Sequence, residues 1–279
     1  MDGPEGGERP KGEATAPKPR RDPRRDAVEF ADRIRRQAKE RLDEVVPPHI
    51  QKEAHRKGFH MTSGIIATPL FLYTGLVYGT MVVLITLAVI VVLEVLLARF
   101  DMEVPFLTQQ LTATRRHGET FSWASTMFLV AGLAIIWLTP LPVAFAGLAM
   151  LGLGDGFSAL VGKAVGKHKL WYNRQKSWEG TIAGFVAGSI GAVGLMFWYY
   201  AATTTDFTVH DFPVLPVVPI ALIGALAGSI AESMPQWEDN VSVPIATAGT
   251  MVVLWMAIGL TPRFGPLVEW VLTGRFPGI

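Results

Sequence analysis

The chain has 279 residues, 50% of them hydrophobic and 18% charged, and its apolar residues lie in long blocks rather than at the spacing of a soluble core. Lys and Arg number 25 against 24 Asp and Glu, a balance that gives no ground for nucleic-acid binding, and the lack of cysteine excludes disulfides and thiolate metal sites. The expectation is an all-α, polytopic membrane protein.

Residues 1–26 are rich in Gly, Pro and charge and have no apolar stretch, so a disordered tail without a secretory signal is expected there. Over 27–48 the apolar positions Val28, Ala31, Ile34, Ala38, Leu42 and Val45 recur every three or four residues among Arg33, Arg35, Arg36, Lys39 and Arg41. That spacing predicts a charged amphipathic helix, lying on a membrane surface or facing solvent or a partner. Pro47 and Pro48 end it, since proline disfavours helical geometry in the residue before it.

A hydrocarbon core about 30 Å thick needs roughly 20 apolar residues of helix. Seven segments qualify, near 61–78, 81–98, 123–138, 143–161, 181–200, 214–231 and 243–260, whereas 267–272 is too short to span. Positive charge sets their orientation. Arg56 and Lys57 precede the first span, Arg99, Arg115 and Arg116 follow the second, and Lys163, Lys167, Lys169, Arg174 and Lys176 follow the fourth; Ala201 to Pro213, after the fifth, has neither Lys nor Arg. The N-terminus is therefore expected in the cytoplasm, in a cell membrane of the inner or cytoplasmic type. Arg263 and Arg275 then fall on the outer side, against the trend.

With this topology the three most polar, glycine-punctuated stretches share the cytoplasmic side: 55–60, 154–180 and 232–240. On a helix Asp155, Ala159, Gly162 and Gly166 fall on one face. Small-residue packing accounts for the glycines, but an acid at the end of an apolar span is costly unless hydrated or partnered, which points to function. Ser177 is a plausible N-cap with Glu179 in the first turn, and helix N-termini bind phosphate; Glu179 would equally complement the helix dipole. Glu232, Glu238, Asp239 and Asn240 offer oxygen ligands suited to Mg2+, or form an ordinary polar loop. Glu94, inside the second span, requires a partner.

At these residues the sequence resembles the membrane family of CTP-dependent lipid-alcohol kinases, which includes dolichol, phytol and diacylglycerol kinases, within a wider group that includes phosphatidate cytidylyltransferase. Arg56-Lys57-Gly58-Phe59-His60 resembles an Arg-Lys-x-x-His motif, Asp155 with Ala159, Gly162 and Gly166 an Asp-x-x-x-Ala-x-x-x-Gly pattern, and Lys176-Ser177-Trp178-Glu179-Gly180 a Lys-Ser-x-Glu-Gly motif. Glu232-Ser233 and Asp239-Asn240-Val241-Ser242-Val243-Pro244 are similar to a Glu-Ser and Asp-Asn-x-x-Val-Pro segment of the kinase branch, with Glu238 where an aspartate is usual. The cytidylyltransferase ending is not found after Ile220.

The resemblance implies γ-phosphate transfer from CTP to a lipid alcohol, with membrane lipids and a nucleotide as partners and no nucleic acid. It implies Mg2+ on Asp155 and Asp239, completed by Asn240 or Glu232, and phosphate neutralised by Lys176, Arg56 and Lys57, with Lys163 beside them. Gly156, Gly162, Gly166 and Gly180 would let backbone approach the nucleotide, and Glu179 would serve as second metal ligand or base, with His60 the alternative base. The expected organisation is a tail (1–26), an amphipathic helix (27–48), a transmembrane catalytic domain (55–262) and a C-terminal tail (263–279). Phosphatidate cytidylyltransferase is the nearest alternative, and a transporter or membrane scaffold the one from another class.

Overall fold

The computed structural model describes residues 34, 48–100, 121, 123–208, 210, 212–235, 238–259 and 265–274. The expected N-terminal tail, the amphipathic helix apart from Ile34 and Pro48, and Arg115, Arg116, Arg263 and Arg275 lie outside them.

Most of the described residues are helical, and the helices follow the apolar blocks. Helix α1 is Pro48–Phe100, α2 Trp123–Leu138, α3 Leu141–Ala149, α4 Asp155–Val165, α5 Trp178–Thr203, α6 Val214–Ser233, α7 Asp239–Ala257 and α8 Pro266–Thr273. Pro48 opens a helix rather than only closing one, as proline does at a first helical position, where its missing N–H has no partner to lose. Five helical stretches are long and apolar enough to cross a membrane: Arg56–Leu97, Leu141–Val165, Trp178–Thr203, Val214–Ser233 and Asp239–Ala257. Trp123–Leu138 is apolar but shorter.

At 53 residues a straight α1 would measure about 80 Å, far beyond a bilayer. It breaks at Gly75, whose φ of 78° and ψ of 171° suit a residue without Cβ. The chain folds back there. A Cβ on Gly79 would lie 2.6 Å from the Phe71 ring, and Ser63 and Thr86 line one cavity from opposite arms. The Trp137 indole N–H donates to Thr80 Oγ1 at 3.0 Å, tying this hairpin to α2. The first two expected spans are thus its two arms, and the expected apolar segments are helical over their described residues, the last of them as far as Ala257.

The stretch from α3 through α4 is the axis of the bundle. Within its most apolar window 78% of residues are buried, against 6% for the window in α1. Around Phe145, Leu148 and Met150 gather Met196 of α5, Ala221 and Ala225 of α6 and Met251 of α7. Between α3 and α4 the residues Met150–Gly154 form a π-helical turn, an irregularity common at functional sites. Gly180, Gly184, Gly188 and Gly191 of α5 recur at helical spacing and bring its backbone onto this turn and α4. A Cβ on Gly180 would lie 2.7 Å from the Ser158 carbonyl oxygen, and one on Gly184 2.8 Å from that of Gly154.

A candidate acidic site bracketed by lysines

Asp155 is the first residue of α4, just after the π-helical turn, and is almost wholly buried. Glu232 lies in the last turn of α6, and Asp239 opens α7 rather than sitting in a loop. One carboxylate oxygen from each of the three lies within 4.8 Å of the others. Three like charges at that separation repel one another strongly unless cations intervene. Two do. The Lys57 ammonium donates to Asp155 Oδ2, and the Lys176 ammonium to Glu232 Oε1 and, at 3.2 Å, to Asp239 Oδ2.

Lys176 is placed by its loop. The backbone pairs Leu170 N–H with the Lys176 carbonyl at 3.1 Å and Trp178 N–H with that of His168 at 2.9 Å, closing residues 168–178 into a hairpin over buried Leu170. Tyr172 Oη meets Ser233 Oγ at 2.6 Å, and Asn173 Nδ2 donates to the Ser233 carbonyl at 3.0 Å, so the loop is fastened to the end of α6. Ser177 caps α5 by accepting from Gly180 N–H at 3.2 Å. Burial works against the charge on Lys176, but Glu232, Asp239 and Asp155 overcome it and raise its pKa above the usual lysine range.

A cavity of about 240 Å³ opens on this cluster, lined by Glu53, Arg56, Lys57, Lys163, Lys176 and Asp239 among others. Glu53 binds Arg56 at 2.6 Å and Lys163 at 2.8 Å. Burial alone would raise its pKa, yet hydrogen bonds from and the charge of those two cations hold it at about 2. Sequence reasoning missed Glu53, because the catalytic region was started at residue 55. The usable signal was its place one turn before Arg56 on a helix that Pro48 begins.

The three separate polar stretches thus meet at one end of the bundle. Asp155, Glu232, Asp239, Lys57 and Lys176 are brought together, with Arg56 and Lys163 across the cavity. Asn240, adjacent to Asp239, is buried. Glu179 is placed elsewhere: its carboxylate accepts from His168 N–H at 3.1 Å and Lys167 N–H at 3.3 Å and meets His168 Nδ1 at 2.6 Å, bracing the start of the loop. Gly162 and Gly180 face each other in the α4–α5 contact, Gly166 faces Ser177, and Gly156 faces Met61, so packing occupies all four glycines expected near nucleotide. His60 is buried one turn after Lys57, its ring centroid 5.0 Å from that of Phe128, and neither ring nitrogen has a hydrogen-bond partner among the described residues.

Two oxygens of the cluster are also orphaned: Asp155 Oδ1 and Glu232 Oε2 are buried with no hydrogen-bond partner among the described residues. Buried carboxylate oxygens carry a large cost when left unsatisfied, and a hard divalent cation satisfies several at once. The donor set therefore fits Mg2+.

No family model matches the chain. No solved structure matches it either. Curated proteins do. A probable chloroplastic phytol kinase 2 of Glycine max is 32% identical over 124 residues, 43% of this chain and 40% of that protein. A probable phytol kinase of Zea mays is 32% identical over 124 residues, 43% of the chain and 39% of the relative, and phytol kinase 1 of Arabidopsis thaliana 31% over 121 residues, 41% and 37%. Over that stretch the chain is similar to these lipid-alcohol kinases. The match spans about two fifths of the length of these kinases.

Proposed function

We propose that this chain transfers the γ-phosphate of CTP to the hydroxyl of a lipid alcohol. The observation that carries the reading is the trio Asp155, Glu232 and Asp239 held between Lys57 and Lys176, in a chain similar to phytol kinases. Phosphoryl transfer asks a protein chiefly to position its reactants and neutralise charge, and this site consists of acids, cations and a cavity.

Asp155, Glu232 and Asp239 would hold Mg2+, which supplies neutralisation of triphosphate charge, with Asn240 beside them. Lys57, Lys176, Arg56 and Lys163 turn four cations toward one cavity and bind phosphate oxygens there. His60, with both ring nitrogens unengaged, is the group that takes the proton of the alcohol, in preference to Glu179, whose oxygens are committed to the loop. Arg56 and Lys57 before the first span and the cations of residues 163–176 favour placing this end in the cytoplasm.

The test uses purified protein, Mg2+ and CTP labelled at either the α or the γ phosphorus, with phytol, a polyprenol, diacylglycerol or phosphatidate. Label from the γ position in an alcohol, with CDP released, is the expected result. Label from the α position in phosphatidate, with pyrophosphate released, would replace the kinase by a cytidylyltransferase, and no transfer to any lipid would return weight to a transporter or scaffold.

A further inference from the structure

A second cavity, of about 280 Å³, lies between the two arms of α1 and α2. One wall runs from Phe59 to Phe71 on the first arm, the second arm adds Val82, Val83 and Thr86, and α2 adds Phe128, Leu129, Gly132, Leu133 and Ile136. Its three hydroxyls are already spent: Thr62 Oγ1 donates to the Gly58 carbonyl at 2.8 Å, Ser63 Oγ to that of Phe59 at 2.7 Å and Thr86 Oγ1 to that of Val82 at 2.8 Å. The walls therefore offer hydrocarbon and no free hydrogen-bond donor, which suits an alkyl chain.

We propose that this groove holds the hydrocarbon chain of the alcohol, entered sideways from the bilayer. The inference rests on the kinase reading and assigns the lipid-binding site of that same reaction. Continuity with the acidic site points to the occupant. The groove begins at Phe59, between Lys57 of the charged cavity and Ser63, and Phe128 in its wall packs on the ring of His60. A chain lying in it presents its hydroxyl end at His60. From Phe59 to Phe71 is about 18 Å of helix, more than half of a hydrocarbon core about 30 Å thick. The outer rim carries the exposed apolar residues Ile66 and Val82, so entry requires no passage through water. At about 280 Å³ the groove lies just below the usual range of ligand sites, about 300–1,000 Å³, and its open side leaves the rest of the chain in lipid.

The experiment has a binding arm and a turnover arm. Wild-type protein in detergent is photolabelled with a long-chain isoprenoid alcohol bearing a diazirine at its far end, and the adducts are mapped by mass spectrometry. Adducts on the groove walls of α1 and α2, competed by phytol, are expected; adducts confined to the exposed faces of α5 and α6, or insensitive to phytol, would overturn the groove whether or not the protein turns over. In the turnover arm Ala67→Leu, at a half-buried position of the groove wall, narrows the groove, and the ratio of kcat/KM for phytol to that for a one-unit isoprenol should fall about tenfold or more. An unchanged ratio would overturn the groove while leaving the kinase intact. Groove adducts in a protein that phosphorylates no alcohol would instead retain the groove and sink the kinase reading.

Discussion

Asp155 carries the most consequence of any single residue. Asp155→Asn removes a charge from the proposed metal site, and kcat with CTP and a lipid alcohol should fall about a hundredfold or more. It also leaves the buried Lys57 ammonium without its countercharge, which costs about 3–5 kcal/mol when one partner of a buried pair is lost. Adding Lys57→Met should restore thermal stability without restoring turnover; recovery of both would mean that the acid serves packing alone. Glu53 gives a pH signature. Its pKa falls from 4.5 in the unfolded chain to about 2 when folded, so its contribution is full above pH 4.5 and is lost as pH drops toward 2. The difference in Tm between wild type and Glu53→Gln should be largest near neutral pH and shrink over that window. Much of this site was legible: Asp155, Glu232, Asp239, Lys57 and Lys176 each stood out as charge flanking apolar blocks. The partnering was not, because Lys57 meets Asp155 across 98 positions and no local pattern specifies such a pair.

At the scale of the elements, the α4–α5 contact depends on missing side chains. Gly180→Ala would set a methyl 2.7 Å from the Ser158 carbonyl oxygen and 2.9 Å from Gly162 Cα, with backbone on both sides. The cost of overpacking, about 1–3 kcal/mol, exceeds the gain of up to about 1 kcal/mol from replacing a helical glycine. On the same helix Gly194 has nothing within 4 Å of its Cβ position, so Gly194→Ala should raise Tm where Gly180→Ala lowers it. Thermal melts of the two variants side by side decide this, and equal shifts would refute the packing account. Helix positions were legible from hydropathy, which is a property of blocks. The π-helical turn was not: a turn closed by i→i+5 bonds holds about one residue more than an α turn, and hydropathy does not register that difference. Glu179 shows the same limit, since a carboxylate in a first helical turn has one sequence appearance whether it meets a ligand or, as here, two loop amides.

For the whole molecule, the ion pairs of Lys176 with Glu232 and Asp239 put the loop after α4 and the α6–α7 junction at one end of the bundle. Since the chain lacks cysteine, single cysteines at positions 173 and 238 should behave alike toward an impermeant reagent, both labelled or both protected, with protection in intact cells if that end is cytoplasmic. Opposite behaviour would contradict the fold itself. The seven apolar segments and their order were legible; the reversal of α1 at Gly75 was legible only as two spans too close together to need a loop. The sequence separations of the ion pairs also set an order in time. On a ribosome adding about 5–20 residues per second, Lys57 precedes Asp155, 98 positions later, by roughly 5–20 s. Lys176 then precedes Glu232 by 56 positions and Asp239 by 63. Each lysine therefore emerges before the acids it pairs with, and during synthesis Lys176 must stay hydrated at the membrane surface until α7 begins, so the site cannot close before the last helices of the bundle are being made.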